Sequence, residues 1–204
     1  MDKRKTVALT FDDGPNTVHT GMLIDLLAKL GVPSSFFLVG ENITPQTAGL
    51  LKRAHELGIE LANHSFTHRD MTAFSPDEVK SEIARTSALI HDITGYEPRF
   101  FRPPYIAVND GLYGLVGLPF ICGVGCNDWD KAVSVEERLK FLTEDIPDGC
   151  IILLHDQCDN PGTPEALKRA LPRMLDDGYD FVTISELFRI KGVTPEVGKM
   201  YSVL

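Results

Sequence analysis

The sequence is poor in the features that let a chain work by covalent staple, membrane span or electrostatic capture. Its 204 residues hold only four cysteines, too few for a disulfide scaffold at this length. Three residues separate Cys122 from Cys126 and seven separate Cys150 from Cys158, spacings unlike paired CxxC zinc knuckles. The plainer expectation is that Cys122 and Cys150 are small apolar residues on buried strands. No apolar run approaches the roughly 18 residues of a membrane span; Cys150–Leu154 is typical of the longest. Met1–Lys5 is basic, but no apolar stretch or small-residue cleavage site follows it. No signal peptide is therefore expected in this chain, which leaves a cytoplasmic protein or a domain of a longer secreted one. Cations are also scarce, with 20 Lys and Arg against 29 Asp and Glu for a net charge of −9. That balance argues against nucleic acid and anionic membrane as partners and leaves neutral polymers open.

What is present is ordinary for a folded chain: 43% hydrophobic and 24% charged residues, which excludes wholesale disorder. The length suits one domain over 1–204, with no linker or low-complexity tract inside it. Short apolar runs alternate with helical patterns. Strands are expected at Thr6–Phe11, Ser35–Val39, Ile59–Ala62, Arg99–Arg102, Pro119–Gly123, Cys150–Leu154 and Tyr179–Ile184. Helix starts are read at Thr44-Pro45, at Ser75-Pro76-Asp77-Glu78, at Ser134-Val135-Glu136-Glu137 and at Thr163-Pro164-Glu165. The start at Ser75 is the clearest, pairing an N-cap serine with Glu78 three residues on, the signature of a capping box. Seven strands alternating with helices predict an α/β fold with a parallel sheet or barrel, whose chemistry belongs at the C-terminal strand ends.

The polar residues fall where that expectation puts them. Asp12-Asp13 follow the first strand, His64 and His68 the third, Arg102 and Tyr105 the fourth, Asp128 and Trp129 the fifth, and His155 the sixth. Two adjacent carboxylates leaving a strand can serve two tasks, one holding a cation and the other a proton. Alone, Asp-Gly-Pro is also a common way to end a strand. His64-x-x-x-His68 has a familiar metal-ligand spacing and lacks the glutamate of the helical metalloprotease signature; two surface or capping histidines would be the plain alternative. One carboxylate and two imidazoles leave coordination positions open, as a catalytic centre needs. His155, ending a very apolar strand, is placed to act as an acid near neutral pH, though a single such histidine is more commonly a satisfied core residue.

Together these residues resemble the polysaccharide deacetylase family (carbohydrate esterase family 4, the NodB-homology domain). The motifs run in order: Thr10-Phe11-Asp12-Asp13-Gly14-Pro15, His64-Ser65-x-x-His68, Arg102-Pro103-Pro104-Tyr105, Asp128-Trp129 and Leu153-Leu154-His155. The resemblance implies a distorted (β/α) barrel of about seven parallel strands. It implies one divalent metal, zinc first and cobalt or nickel as alternatives, held by Asp13, His64 and His68. Asp12 would be the general base and His155 the acid that protonates the leaving group. Arg102 would orient Asp12, Asp128 would pair with His155, and the backbone N–H of Tyr105 would help hold the oxyanion. Trp129 and Leu153 would wall the acetyl pocket, with Pro104 also against substrate.

The implied activity is removal of acetyl groups from a carbohydrate polymer or oligosaccharide outside the cytoplasm. N-acetylglucosamine in peptidoglycan or chitin-like chains comes first, and O-acetyl xylan is the alternative. A non-catalytic carbohydrate-binding domain on the same fold is the reading of another class, and a phosphoesterase is disfavoured by the lack of a second carboxylate cluster or basic clamp. The sequence departs from the family pattern at Gly125, where many members carry Asp, and at Ile106, where Gly commonly follows the third motif. Both departures bear on substrate choice rather than on chemistry.

Overall fold

Strand β1 (Lys5–Asp12) is the axis of the molecule. The computed structural model describes residues 4–204, and in it Val7, Ala8, Leu9 and Phe11 have no exposed surface. Such a run, apolar on both faces, is what a parallel strand covered on both sides requires. β1 pairs in parallel with β2 (Ser35–Leu38), β5 (Ile151–His155) and β6 (Tyr179–Val182), and β2 pairs in parallel with β3 (Glu60–Asn63). Single bridges continue the pairing from Asn63 to Phe101, from Phe101 to Phe120 on β4 (Phe120–Ile121), and from Val124 back to Ile152 on β5. Followed from segment to segment, the pairing returns to β1. Its far side is joined by single bridges only, which makes the barrel a distorted one.

Alternation along β1 divides the interior. Val7, Leu9 and Phe11 join the larger apolar cluster, packed with Leu23 and Leu27 of helix α1 (His19–Leu30) and Leu167 and Leu171 of α6 (Gly162–Asp176). Ala8 joins a second cluster with Phe37, Ala62 and Ile151, which Ile184, Leu187 and Phe188 of α7 (Ile184–Lys191) complete. Thr10 and Asp12 share the parity of Ala8. The second face of β1 thus turns from apolar at Ala8 to polar at Thr10 and Asp12, toward the C-terminal end of the strand.

Between these strands run α2 (Pro45–Glu56), α3 (Pro76–Thr94), α4 (Asp110–Leu115) and α5 (Val135–Thr143). Local chemistry sets their ends. α2, α3 and α5 open on reciprocal capping boxes at Thr44, Ser75 and Ser134. α1 stops at Gly31, left-handed at φ 65°.

Several expected elements differ. Arg99–Arg102 contributes two isolated bridges, both at Phe101, and no strand, because Pro103 and Pro104 turn the chain at once. Pro119–Gly123 narrows to the two residues of β4. The strand at Tyr179 ends at Val182, since Thr183 caps α7 by accepting from the Glu186 N–H. The seventh strand is instead β7 (Met200–Tyr201), parallel to β4. Thr163 is not the cap of α6; its hydroxyl turns into the site described below. Cys150 is buried as expected, whereas Cys122 is half-buried and faces a cleft. All four thiols are free.

Candidate active site

The end of β1 sorts its two carboxylates by backbone conformation. Asp12 is the last strand residue and only 2% exposed, whereas Asp13 is left-handed at φ 75°. Asp13 Oδ1 lies 3.1 Å from His68 Nε2 and 3.5 Å from His64 Nε2. Its Oδ2 accepts a hydrogen bond of 2.8 Å from the Gln157 amide. Burial pushes the Asp13 carboxyl up, but the two imidazoles outweigh it and hold the group well below the usual carboxylate range.

Both histidines lie on the loop after β3, as expected, and that loop is tied from outside. His64 donates from Nδ1 to the Arg102 carbonyl at 2.6 Å, which leaves Nε2 free to face Asp13. Glu82 of α3 accepts from the Phe66 and Thr67 N–H groups, each at 2.8 Å. Ser65 Oγ accepts from the His68 N–H at 3.1 Å. One ligand atom from each of Asp13, His64 and His68 lies within 4.8 Å of the others. A carboxylate with its far oxygen already engaged, and two imidazoles with Nε2 oriented inward, fit a borderline divalent cation such as zinc or cobalt.

Asp12 is held by Arg102, which is fully buried and donates from Nη1 to Asp12 Oδ1 and, at 3.0 Å, to Thr10 Oγ1. The guanidinium lies over the Phe37 ring, 4.0 Å from its centroid. Asp12 Oδ2 stands 3.7 Å from His64 Nε2.

His155 ends β5 in register with Asp12. Its Nδ1 donates to Asp128 Oδ1 at 2.8 Å and its backbone N–H to Asp128 Oδ2 at 2.9 Å. Burial of His155 favours the neutral ring, but Asp128, with Asp12 and Asp13 nearby, pushes its pKa up to about 9. Asp156, the next residue, is buried and its carboxyl is pushed up to about 7 by loss of water, although the Thr20 hydroxyl donates to it.

Asp12, Asp13, His64, His68, His155 and Gln157 share one cleft of about 480 Å³, lined also by Tyr105, Ile106, Trp129 and Leu153. Pro104, expected against substrate, is buried under the turn and does not line the cleft; Pro103 takes that place. At Gly125 a Cβ would lie 2.6 Å from the Leu153 carbonyl, so the close approach of this segment to β5 admits no side chain. Among the described residues, six other than glycine have positive φ: Asp13, Ser65, His68, Tyr105, Ile106 and Asn127. All except Ser65 line the cleft, and Ser65 adjoins His64. Left-handed conformation is costly for such residues, most of all for β-branched Ile106, and it persists where surrounding contacts impose it.

The structure therefore brings together Asp12, Asp13, His64, His68, Arg102, Asp128 and His155, with Tyr105, Trp129 and Leu153 at the walls. Gln157 and Glu82 were not anticipated. Neither belongs to a readable spacing, since both meet the site only through hydrogen bonds between segments distant in the chain, Gln157 through one and Glu82 through three.

Residues 1–116 match the polysaccharide deacetylase family. The chain is 43% identical over 194 residues to a bifunctional xylanase/deacetylase of Pseudobutyrivibrio xylanivorans, covering 95% of this chain and 32% of that protein. It is 37% identical over 198 residues to a peptidoglycan-N-acetylglucosamine deacetylase of Listeria monocytogenes, covering 97% of this chain and 41% of that one. It thus spans about a third to two fifths of the length of these relatives. Among solved structures it resembles a family 4 acetyl xylan esterase from Clostridium thermocellum in complex with a cobalt ion, at TM-score 0.93 and 41% identity, over 98% of this chain and 99% of that one.

Proposed function

The chain belongs to the polysaccharide deacetylase family, and on that premise we propose that residues 1–204 are one catalytic domain that hydrolyses acetyl groups from a carbohydrate polymer. The observation that carries the reading is a single cleft lined at once by Asp12, Asp13, His64, His68 and His155. Asp13, His64 and His68 would hold one divalent cation, zinc first. That cation, when bound, lowers the pKa of a water toward neutrality and polarises the acetyl carbonyl.

The chain's own residues supply the remaining chemistry. Asp12, clamped by Arg102, takes the proton of the attacking water. The left-handed turn at Tyr105 presents backbone to the developing oxyanion. His155, charged through its pairing with Asp128, hands a proton to the departing oxygen or nitrogen. Trp129 and Leu153 wall the space for the acetyl methyl.

Acetamide of N-acetylglucosamine and O-acetyl xylan are both within reach of this apparatus. Identities of 43% and 41% to the xylanase/deacetylase and the acetyl xylan esterase, against 37% to the peptidoglycan deacetylase, favour the ester. Polymers of that class support an activity outside the cytoplasm. The test is acetate release after metal stripping and zinc or cobalt addition, with acetylxylan, chitooligosaccharide and peptidoglycan fragments side by side. Metal-dependent acetate is expected, most from acetylxylan. No acetate from any of the three, in protein shown to hold zinc, would overturn the reading in favour of a binding domain.

A further inference from the structure

Behind the pair of Asp128 and His155 lies a buried cation that the proposed chemistry does not use. Arg138 of α5 is 2% exposed. The hydrogen bonds of its guanidinium go to neutral acceptors: Nε to the Val133 carbonyl at 3.2 Å, Nη2 to the Asp130 carbonyl at 3.2 Å, and Nη1 to Asn160 Oδ1 at 2.7 Å and Thr163 Oγ1 at 3.1 Å. A buried guanidinium is expensive unless an anion offsets it. The anion is Asp128, one hydroxyl away: Thr163 Oγ1 donates to Asp128 Oδ2 at 2.6 Å. Gly162 makes the approach possible, since a Cβ there would lie 2.4 Å from Arg138 Nη1.

We propose that Thr163 and Arg138 are positioning residues for the proton donor, fixing through Asp128 the tautomer in which His155 faces the cleft. The direction of every bond follows from donor chemistry. A guanidinium only donates, so the Thr163 oxygen accepts from Arg138 and its single proton goes to Asp128. Likewise Asn160 Oδ1 accepts from Arg138, which turns its amide nitrogen to the Asp128 carbonyl. Asp128, without exposed surface, then takes Thr163 and the His155 backbone N–H on Oδ2 and keeps Oδ1 for His155 Nδ1. The ring nitrogen left over is Nε2. When the acyl C–O or C–N bond breaks, its electron pair goes to the leaving atom, which takes the Nε2 proton, and His155 is left neutral with Nδ1–H still on Asp128.

What His155 does with its proton rests on the deacetylase reading; the positioning itself does not. Thr163→Val keeps the volume and removes the donor. In zinc-loaded protein, acetate release from acetylated xylooligosaccharide is expected to fall about tenfold to a hundredfold. Hydrolysis of 4-nitrophenyl acetate, whose leaving group needs no proton, and zinc content should hold. Thr163→Ser should restore the lost activity. In protein labelled with ¹⁵N-histidine, the downfield Nδ1–H resonance of His155 should be present in wild type and Thr163→Ser and displaced or lost in Thr163→Val. Thr163→Ala, smaller and without clash, carries the same comparisons should valine not be accommodated. Equal losses on both esters, or an unmoved His155 resonance, would overturn the proposal. A resonance that depends on Thr163 in a wild type that releases no acetate would sustain the positioning role and sink the deacetylase reading.

Discussion

Asp12 and Asp13 are chemically identical neighbours assigned opposite work, and the cause is one backbone angle. Left-handed φ at Asp13 takes its carboxylate to the imidazoles, while Asp12 stays in strand conformation against Arg102. Asp12→Asn should therefore keep zinc bound and lose about 10²–10⁴ in turnover, whereas His68→Ala should lose zinc and activity together; metal analysis beside acetate release separates the two. For His155 the sign is equally definite. Its folded pKa of about 9 exceeds the usual 6.5, so its charge contributes stability that is complete below pH 6.5 and lost as pH rises through about 9. An NMR titration of the metal-free protein should place its midpoint near pH 9, and Asp128→Asn should lower it.

At the scale of elements, the serine-capped helices were legible because a capping box is a contact among four consecutive residues, as at Ser75–Glu78 and Ser134–Glu137. The fourth expected strand was not, because Phe101 pairs only through single bridges whose partners, Asn63 and Phe120, lie on other segments. Gly125 shows the same limit. In the sequence it was a departure from a motif; in the fold its Cβ position is occupied by the Leu153 carbonyl. Gly125→Ala must push β5 at the residue two before His155. It should cost about 1–3 kcal/mol of stability, measured by denaturant unfolding, and should lower turnover with zinc content unchanged.

At the scale of the whole molecule, the barrel gathers at one rim residues that lie as far apart in the chain as Asp12 and Gln157. A cation held there ties the ends of β1 and β3 together, so it should stabilise the folded state. Zinc at a hundredfold excess over its Kd should add about 2.7 kcal/mol, raising Tm in wild type and not in His68→Ala. What the sequence alone determined was the alternation of strands and helices, the capped helix starts and the identity of the reactive groups, because each is encoded by residues close along the chain. Only the tertiary structure decided how they are held. Gln157 on Asp13, Glu82 under the histidine loop, and Arg138 and Thr163 behind Asp128 are bonds across 15 to 144 residues of chain. No local periodicity records such pairings, since they exist only once the barrel has brought those segments within hydrogen-bonding distance.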